Sequence, residues 1–543
     1  MFSYIYNFFD PVVNSCFYST MKKIKNEAIG STFTLLILSL AVQPWRNTVS
    51  QDDAAYAAQA IHFSMGHFQF HPDSIAFLLP QTLVGATALR ALSFMSHPLM
   101  VLNCLTWLLF CGLAWGLRKK FKLGLSLWLS FLAVPFWIQY GASFLYDLWA
   151  VGLLAILLVF ENEDPALDKP AHYAALGGIS LLLPLQLQVL SIFPVLFGLR
   201  NWLQKSRKRA WSLWLGVALG LLVYLNLKKS VSQQALPSFL LIHHQNIQDV
   251  FATFFQLLLS LGFFFLPWIR PFRNLSSKLL LGTASIQLLC LIVFVFSSVH
   301  ILAAGVFFSD YLPRICAAFL ATMGIWGWAG TFDLFKDLRL SRIWPSLTGI
   351  GIIFSAYSFR GITDLRCAMI ALPLVLFLIN SKKLEAPRLG SYPIVALLGL
   401  CLSLILNLYQ LDTTEARWQV ASKLEARGVD TRDISAGYGR NHFKLEWDCV
   451  EEKIRKMGNP QPTDPSFLNE VYAYIPRYYE KGWSPQYLIK PSRFFNKKLD
   501  LKSNRMKGQD TAPIQTVQYR SAGITHELGV YRNDDFQQSE CFR

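Results

Sequence analysis

Asp52 and Asp53 stand side by side just beyond an apolar run, in a segment reading Ser50, Gln51, Asp52, Asp53, Ala54, Ala55, Tyr56. Adjacent carboxylates at a helix start can cap its free N–H groups, hold a cation, or take a proton from a hydroxyl. The alanine-rich run that follows predicts a helix, with Ser50 as its capping side chain. Asp52, Tyr56, Gln59 and Phe63 then share one face by i, i+3 and i, i+4 spacing. Capping alone explains such a pair. Beside a membrane the same pair also reads as a general base, Asp52, with a supporting carboxylate, Asp53, and together as ligands for a divalent cation such as Mg or Mn.

Other chemistry-bearing residues are more scattered. Asp147, the adjacent His243 and His244, and the run holding Arg360, Asp364 and Arg366 each stand at the edge of an apolar segment. His67 and His71 have the spacing of a zinc-binding helix pair, but Pro72 makes the segment a loop. No glycine-rich phosphate loop, serine nucleophile elbow or Cys-x-x-Cys pair occurs.

The elements that must position these residues are apolar. The chain is 53% hydrophobic and 15% charged, where a soluble protein carries roughly 25% charged residues. Apolar runs approaching the ~20 residues of a bilayer crossing recur between residues 28 and 409. The expected class is an all-α polytopic membrane protein. The net charge of +16 is unevenly spread: residues 410–543 hold 21 Lys and Arg against 18 Asp and Glu, which leaves +13 on the rest. Basic clusters at residues 22–25, 118–122, 200–209, 270–278, 336–342 and 382–388 then mark cytoplasmic loops. Nucleic-acid binding is excluded, because no basic stripe with interleaved aromatics lies on a soluble face.

Requiring an even number of crossings between neighbouring basic clusters gives about 13 transmembrane helices. Residues 1–27 are then cytoplasmic, residues 28–409 form the membrane domain with a first exterior loop at 46–96, and residues 410–543 form a small α+β exterior domain. The stretch 74–93, with Pro80, Gln81 and Arg90, is read as a surface or re-entrant helix that does not cross. Residues 172–184 and 187–199 are a broken pair separated by Pro184. Residues 161–169 fall inside despite their acidity. The N-terminal span is an uncleaved anchor, and a bacterial inner membrane is the expected location. Seven of the nine cysteines lie in or beside apolar segments; Cys449 and Cys541 are free to pair in an oxidising compartment.

The acidic pair, most histidines and several arginines thus gather on one predicted surface, the exterior one. At this point the order of motifs resembles the GT-C glycosyltransferases, in particular the protein O-mannosyltransferase and aminoarabinose-transferase type. The likeness rests on a span followed by Asp52, Asp53 and Tyr56, then Gly66, then a proline-bearing surface helix after Pro72. It continues through Tyr146 and Asp147, the Arg360, Asp364 and Arg366 stretch before Pro373, and the late run around Gly428, Ile434, Gly437 and Asn441. It implies an inverting transfer of a sugar from a polyprenyl-phosphate donor to a glycan, lipid or protein acceptor, with Asp52 as the catalytic carboxylate. Tyr56, Asp147, His243, Arg360, Asp364 and Arg366 would contact substrate. Members of this family often carry a lysine for the donor phosphate where this chain has Gln186 and Gln188, which shifts that role to Arg360, Arg366 or another exterior base.

The alternative is a transporter, or a flippase or ligase of lipid-linked glycans. A transporter needs charges within its spans, and here the span interiors are nearly free of them.

Overall fold

A computed structural model of the chain describes residues 27–48, 53–66, 68, 78–120, 128, 132, 141–142, 144, 146–161, 170–231, 281–289, 325, 340–359, 393–430, 433–436, 487–491, 513–521 and 524–532. Its elements in chain order are α1 (Glu27–Val42), α2 (Asp53–Ser64), α3 (Leu79–Ala91), α4 (Pro98–Lys120), α5 (Tyr146–Glu161), α6 (Pro170–Gln186), α7 (Ile192–Leu203), α8 (Arg207–Val231), α9 (Leu340–Phe359) and α10 (Pro393–Glu425). Four strands follow, β1 (Ile434–Ser435), β2 (Tyr487–Pro491), β3 (Gln515–Ser521) and β4 (Ile524–Arg532).

The helices are apolar outside and carry their polar residues inside. In α3, Gln81 and Thr82 are buried while Leu83 and Val84 are each 44% exposed. In α1, Ser31 is buried while Phe33, Leu36, Ile37 and Leu40 face outward. A water-facing helix has the opposite polarity. Exposed apolar surface on this scale is a face for lipid. Among the described residues, α4 and residues 207–227 of α8 are long and apolar enough to cross a bilayer. At 1.5 Å per residue the 13-residue α3 reaches only about 20 Å, too short for a hydrocarbon core of about 30 Å. Most of the expected spans at 123–140 and 312–328, and those at 251–268 and 367–379, lie outside the described residues.

Helices α6 and α8 pack closest. A Cβ placed on Gly216 would stand 2.3 Å from the Gly177 carbonyl oxygen, and one on Gly220 would stand 2.5 Å from that of Leu181. Two glycines one turn apart let backbones touch where lipid offers no hydrophobic drive for association. Gly216→Leu is therefore expected to cost about 1–3 kcal/mol by forcing the pair apart. A thermal unfolding midpoint in detergent equal to that of the unaltered chain contradicts the contact.

The break between α6 and α7 is not at Pro184. Pro184 lies inside α6, and the chain leaves the helix at Leu187, which is extended (φ −155°, ψ 114°). The missing N–H of Pro184 removes one hydrogen bond in the final turn, and the helix ends within that turn.

Helix α10 is one 33-residue element. The sequence predicts a span at 391–409 and a separate helix at 415–426, but no Gly or Pro interrupts residues 410–426, so the helix runs through. It ends at Gly428 (φ 91°), where Val429 N–H donates to the Leu424 carbonyl and Gly428 N–H to that of Glu425, the Schellman pattern. The sheet, ordered β1-β2-β4-β3, has β1 parallel to β2 and the other pairs antiparallel. Ala416, Val420, Ala421 and Leu424 of α10 pack against Ile434, Ile489, Leu528 and Val530 of the sheet. Among the described cysteines Cys104, Cys111 and Cys401 are free; Cys449 and Cys541 lie outside the described residues.

Candidate functional site

Helix α2 begins at Asp53. Asp52 and the Asp53 side chain lie outside the described part of the structure, so the site is approached through what holds this helix. Tyr56, Gln59 and Phe63 are all buried, and so are the residues between them, so α2 is enclosed on every side from 56 to 63. Tyr56 sits in the main core with Ala57, Ala60 and Ile61, which makes it an anchor of α2. Gly85 of α3 permits the approach: a Cβ there would stand 2.8 Å from Phe144, 3.0 Å from Leu102 and 3.2 Å from Ala60.

A chain of amides fixes the same helices. Gln59 Nε2 donates to Thr82 Oγ1 at 2.8 Å, joining α2 to α3. Gln81 Nε2 donates to the Phe144 carbonyl at 3.0 Å, and Gln186 Nε2 donates to Gln81 Oε1 at 3.0 Å. The backbone N–H of Gln81 donates to Gln186 Oε1 at 3.3 Å. That N–H belongs to the first turn of α3, where no intrahelical acceptor exists. Gln186 of α6 therefore caps α3 from another helix. Both glutamines are fully buried. The amide of Gln186 is thus committed to α3, at the position where the family resemblance leads one to look for a phosphate contact. Gln186→Leu is expected to cost about 1–3 kcal/mol by leaving Gln81 unpaired, and the Gln81→Leu, Gln186→Leu double variant less than the sum of the singles. Additive thermal shifts overturn this reading.

A second clamp lies where the first loop begins. Arg46 Nη2 is 2.6 Å from Asp412 Oδ1 and its Nη1 is 3.0 Å from Glu415 Oε2, with the Arg46 side chain 9% exposed. Asn103 of α4 donates to the carbonyls of Arg46 and Thr48, each at 3.0 Å. Between these groups is a crevice lined by Val42, Arg46, Thr48, Asn103, Leu411 and Thr414. The start of the acidic loop and the sheet-bearing end of α10 are thereby held together. At the other end of α2, Arg90 Nε donates to the Ser64 carbonyl at 2.7 Å, and Gly66 (φ 92°) turns the chain.

The opposite end of the bundle is basic. Glu161, at the end of α5, accepts from Arg200 Nη2 at 2.5 Å and from Asn201 Nδ2 at 3.0 and 3.2 Å. Acidic Glu161 therefore lies at the same end as the basic cluster 200–209, paired with one of its members. Arg118, near the end of α4, stacks over Trp128 at 5.2 Å.

Of the remaining site residues, Asp147 is the second residue of α5, three positions beyond Phe144, and its side chain is outside the described part. His243, Arg360, Asp364 and Arg366 lie outside the described residues, as do His67 and His71. Among the described residues no group of three or more His, Cys, Asp or Glu side chains is placed to hold a metal ion. Sequence reading missed the Arg46, Asp412 and Glu415 clamp and the Gln81, Gln186 pair. The available signal for the glutamine pair was polar side chains within apolar segments; the clamp residues stand just beyond the ends of such segments.

Among the described residues, apolar outer faces, buried amides and charges gathered toward the helix ends are the features of an integral membrane helical bundle, with a small sheet packed on α10. No family model matches the chain, and no curated protein matches it. Solved structures similar to it are those of ArnT from Cupriavidus metallidurans. The apo-state crystal structure is 16% identical, covering 73% of this chain and 81% of that one with a TM-score of 0.35. The crystal structure bound to undecaprenyl phosphate is 14% identical, covering 92% and 97% with a TM-score of 0.40. At those values the functional reading rests on this chain's own residues.

Proposed function

We propose that the chain is an integral membrane glycosyltransferase that moves a sugar from a polyprenyl-phosphate donor to a cell-envelope acceptor on the exterior face. The observation that carries it is the segregation of polar chemistry: Asp53 opens a helix braced by buried amides at one end of the bundle, while, among the described residues, the basic cluster 200–209, the basic end of α4 and Glu161 gather at the other. Positive charge marks the cytoplasmic side, which supports an exterior position for the acidic end.

In this reading Asp52 accepts the proton of an acceptor hydroxyl as its oxygen attacks the anomeric carbon. The bond from that carbon to the phosphate oxygen breaks with inversion, and polyprenyl phosphate leaves with the bonding electrons. Arg360 and Arg366 offset the charge that develops on the phosphate, and Asp364 orients them. Asp53 supports Asp52 or holds a Mg or Mn ion. Water is scarce at a membrane-surface cleft, which strengthens each of these charge interactions.

The test is transfer of label from a polyprenyl-phosphate-linked sugar by membranes containing the chain, compared with membranes lacking it. Label in a glycan, lipid or protein fraction supports the reading. Movement of intact lipid-linked sugar across the bilayer, with no label released, assigns the chain to the flippases instead.

A further inference from the structure

The α7–α8 hairpin, at the end of the bundle away from α2, carries a feature the proposed reaction does not use. Trp202, Trp211 and Trp214 form one cluster, with ring centroids 5.7 to 6.1 Å apart. Trp214 is its inner member, donating from Nε1 to the Val195 carbonyl at 3.2 Å. Trp202 and Trp211 are exposed. From each of them an apolar stripe runs toward the middle of the bundle. On α8 it is Trp211, Leu215, Leu219 and Leu222, 51%, 57%, 53% and 58% exposed; on the antiparallel α7 it is Trp202, Leu199 and Val195, at 38%, 41% and 39%.

Exposed cations stand directly over the two stripes. Arg207 Cζ lies over the Trp202 ring, 5.3 Å from its centroid, and its guanidinium can donate several N–H groups to an anion. Lys205 and Lys208 flank it. Lys205 occupies the left-handed turn between the helices (φ 65°), a conformation that favours glycine. Residues 195–231 contain no Asp or Glu, and among the described residues no carboxylate pairs with Lys205, Arg207 or Lys208.

The geometry points to a binding site for an anionic diacyl phospholipid on the outer face of α7 and α8. Its phosphate sits among Lys205, Arg207 and Lys208, its glycerol region lies at the height of the Trp202 and Trp211 rings, and one acyl chain lies along each stripe. A nucleic acid or acidic peptide matches the cations but not the stripes. A neutral lipid matches the stripes but not the cations. Two stripes side by side select two chains over one. Tryptophan at the headgroup level and basic residues above it are the physical requirements of such a site.

The test uses the full chain purified in neutral detergent, with bound lipid counted by native mass spectrometry. Dioleoyl phosphatidylglycerol, dioleoyl phosphatidylcholine and undecaprenyl phosphate are supplied at equal concentration. Phosphatidylglycerol is expected to be retained over phosphatidylcholine, and each neutralised cation to lower its binding roughly five-fold. The K205G/R207Q/K208Q variant loses the preference; glycine suits the turn, so charge is removed without strain. Lys208→Gln alone, at an exposed position, gives a graded loss should the triple variant fold poorly. K119Q/K120Q, at the end of α4, keeps the preference. Phosphatidylglycerol retention unchanged in the triple variant, equal loss in K119Q/K120Q, or displacement of phosphatidylglycerol by undecaprenyl phosphate each overturns the assignment.

Discussion

Asp52→Asn is expected to lower the rate of sugar transfer by roughly 10²- to 10⁴-fold, the usual contribution of a positioned general base. The substitution separates the two readings of the acidic pair. Asparagine caps a helix start about as well as aspartate, so a capping carboxylate tolerates the change and a proton acceptor does not. The loss falls on kcat, because donor and acceptor contacts remain while proton removal is abolished. Asp53→Asn is expected to cost less, since Asp53 opens α2 and in the proposed reaction only supports the base. If it acts through Mg or Mn, its activity returns in part at raised metal concentration. Both variants are measured with labelled polyprenyl-phosphate-linked donor in membranes, at matched protein levels. A normal rate in Asp52→Asn removes Asp52 from the chemistry.

The second large effect is on stability. The Glu161 side chain is fully buried and accepts from Arg200 and Asn201. Removing one member of a buried ion pair leaves the other charge without compensation, which costs about 3–5 kcal/mol. Glu161→Ala and Arg200→Leu are each expected to lose that much. The Glu161→Leu, Arg200→Leu double variant is expected to lose less than either single variant, because neither member of the pair is left without its partner. Thermal unfolding of the detergent-solubilised chain measures all three. Additive losses show that the two groups are not coupled. Glu161 lies at the end of the bundle away from α2, so transfer activity per folded molecule stays near normal in all three variants, which distinguishes this result from the loss caused by Asp52→Asn.

Much of the helical framework was legible because the underlying signals are local. The apolar runs at 28–45, 97–117, 148–160 and 211–227 each coincide with a helix. Tyr56, Gln59 and Phe63 are buried as the spacing predicts, but α2 is buried on every side from 56 to 63, so the spacing did not single out a face. Two boundaries shifted for reasons that are also local. Pro184 was accommodated in the last turn of α6, and residues 410–414 had nothing to stop α10.

Partner choice was not legible in the same way. Gln81 and Gln186 are 105 residues apart, and Glu161 and Arg200 are 39 apart. The sequence marks each as a polar residue in apolar surroundings, with a desolvation cost that some partner must meet. It does not say which partner. The sequence by itself determined the apolar spans, the basic clusters and the acidic pair at a helix start, since hydropathy, charge and helix propensity belong to single segments. Only the tertiary structure decided that Gln186 caps α3, that Arg46 holds α10, and that three tryptophans cluster on one hairpin with Arg207 over the Trp202 ring. A hydrogen bond or ion pair forms between whichever groups helix packing brings within about 3 Å, and packing is a property of the whole bundle.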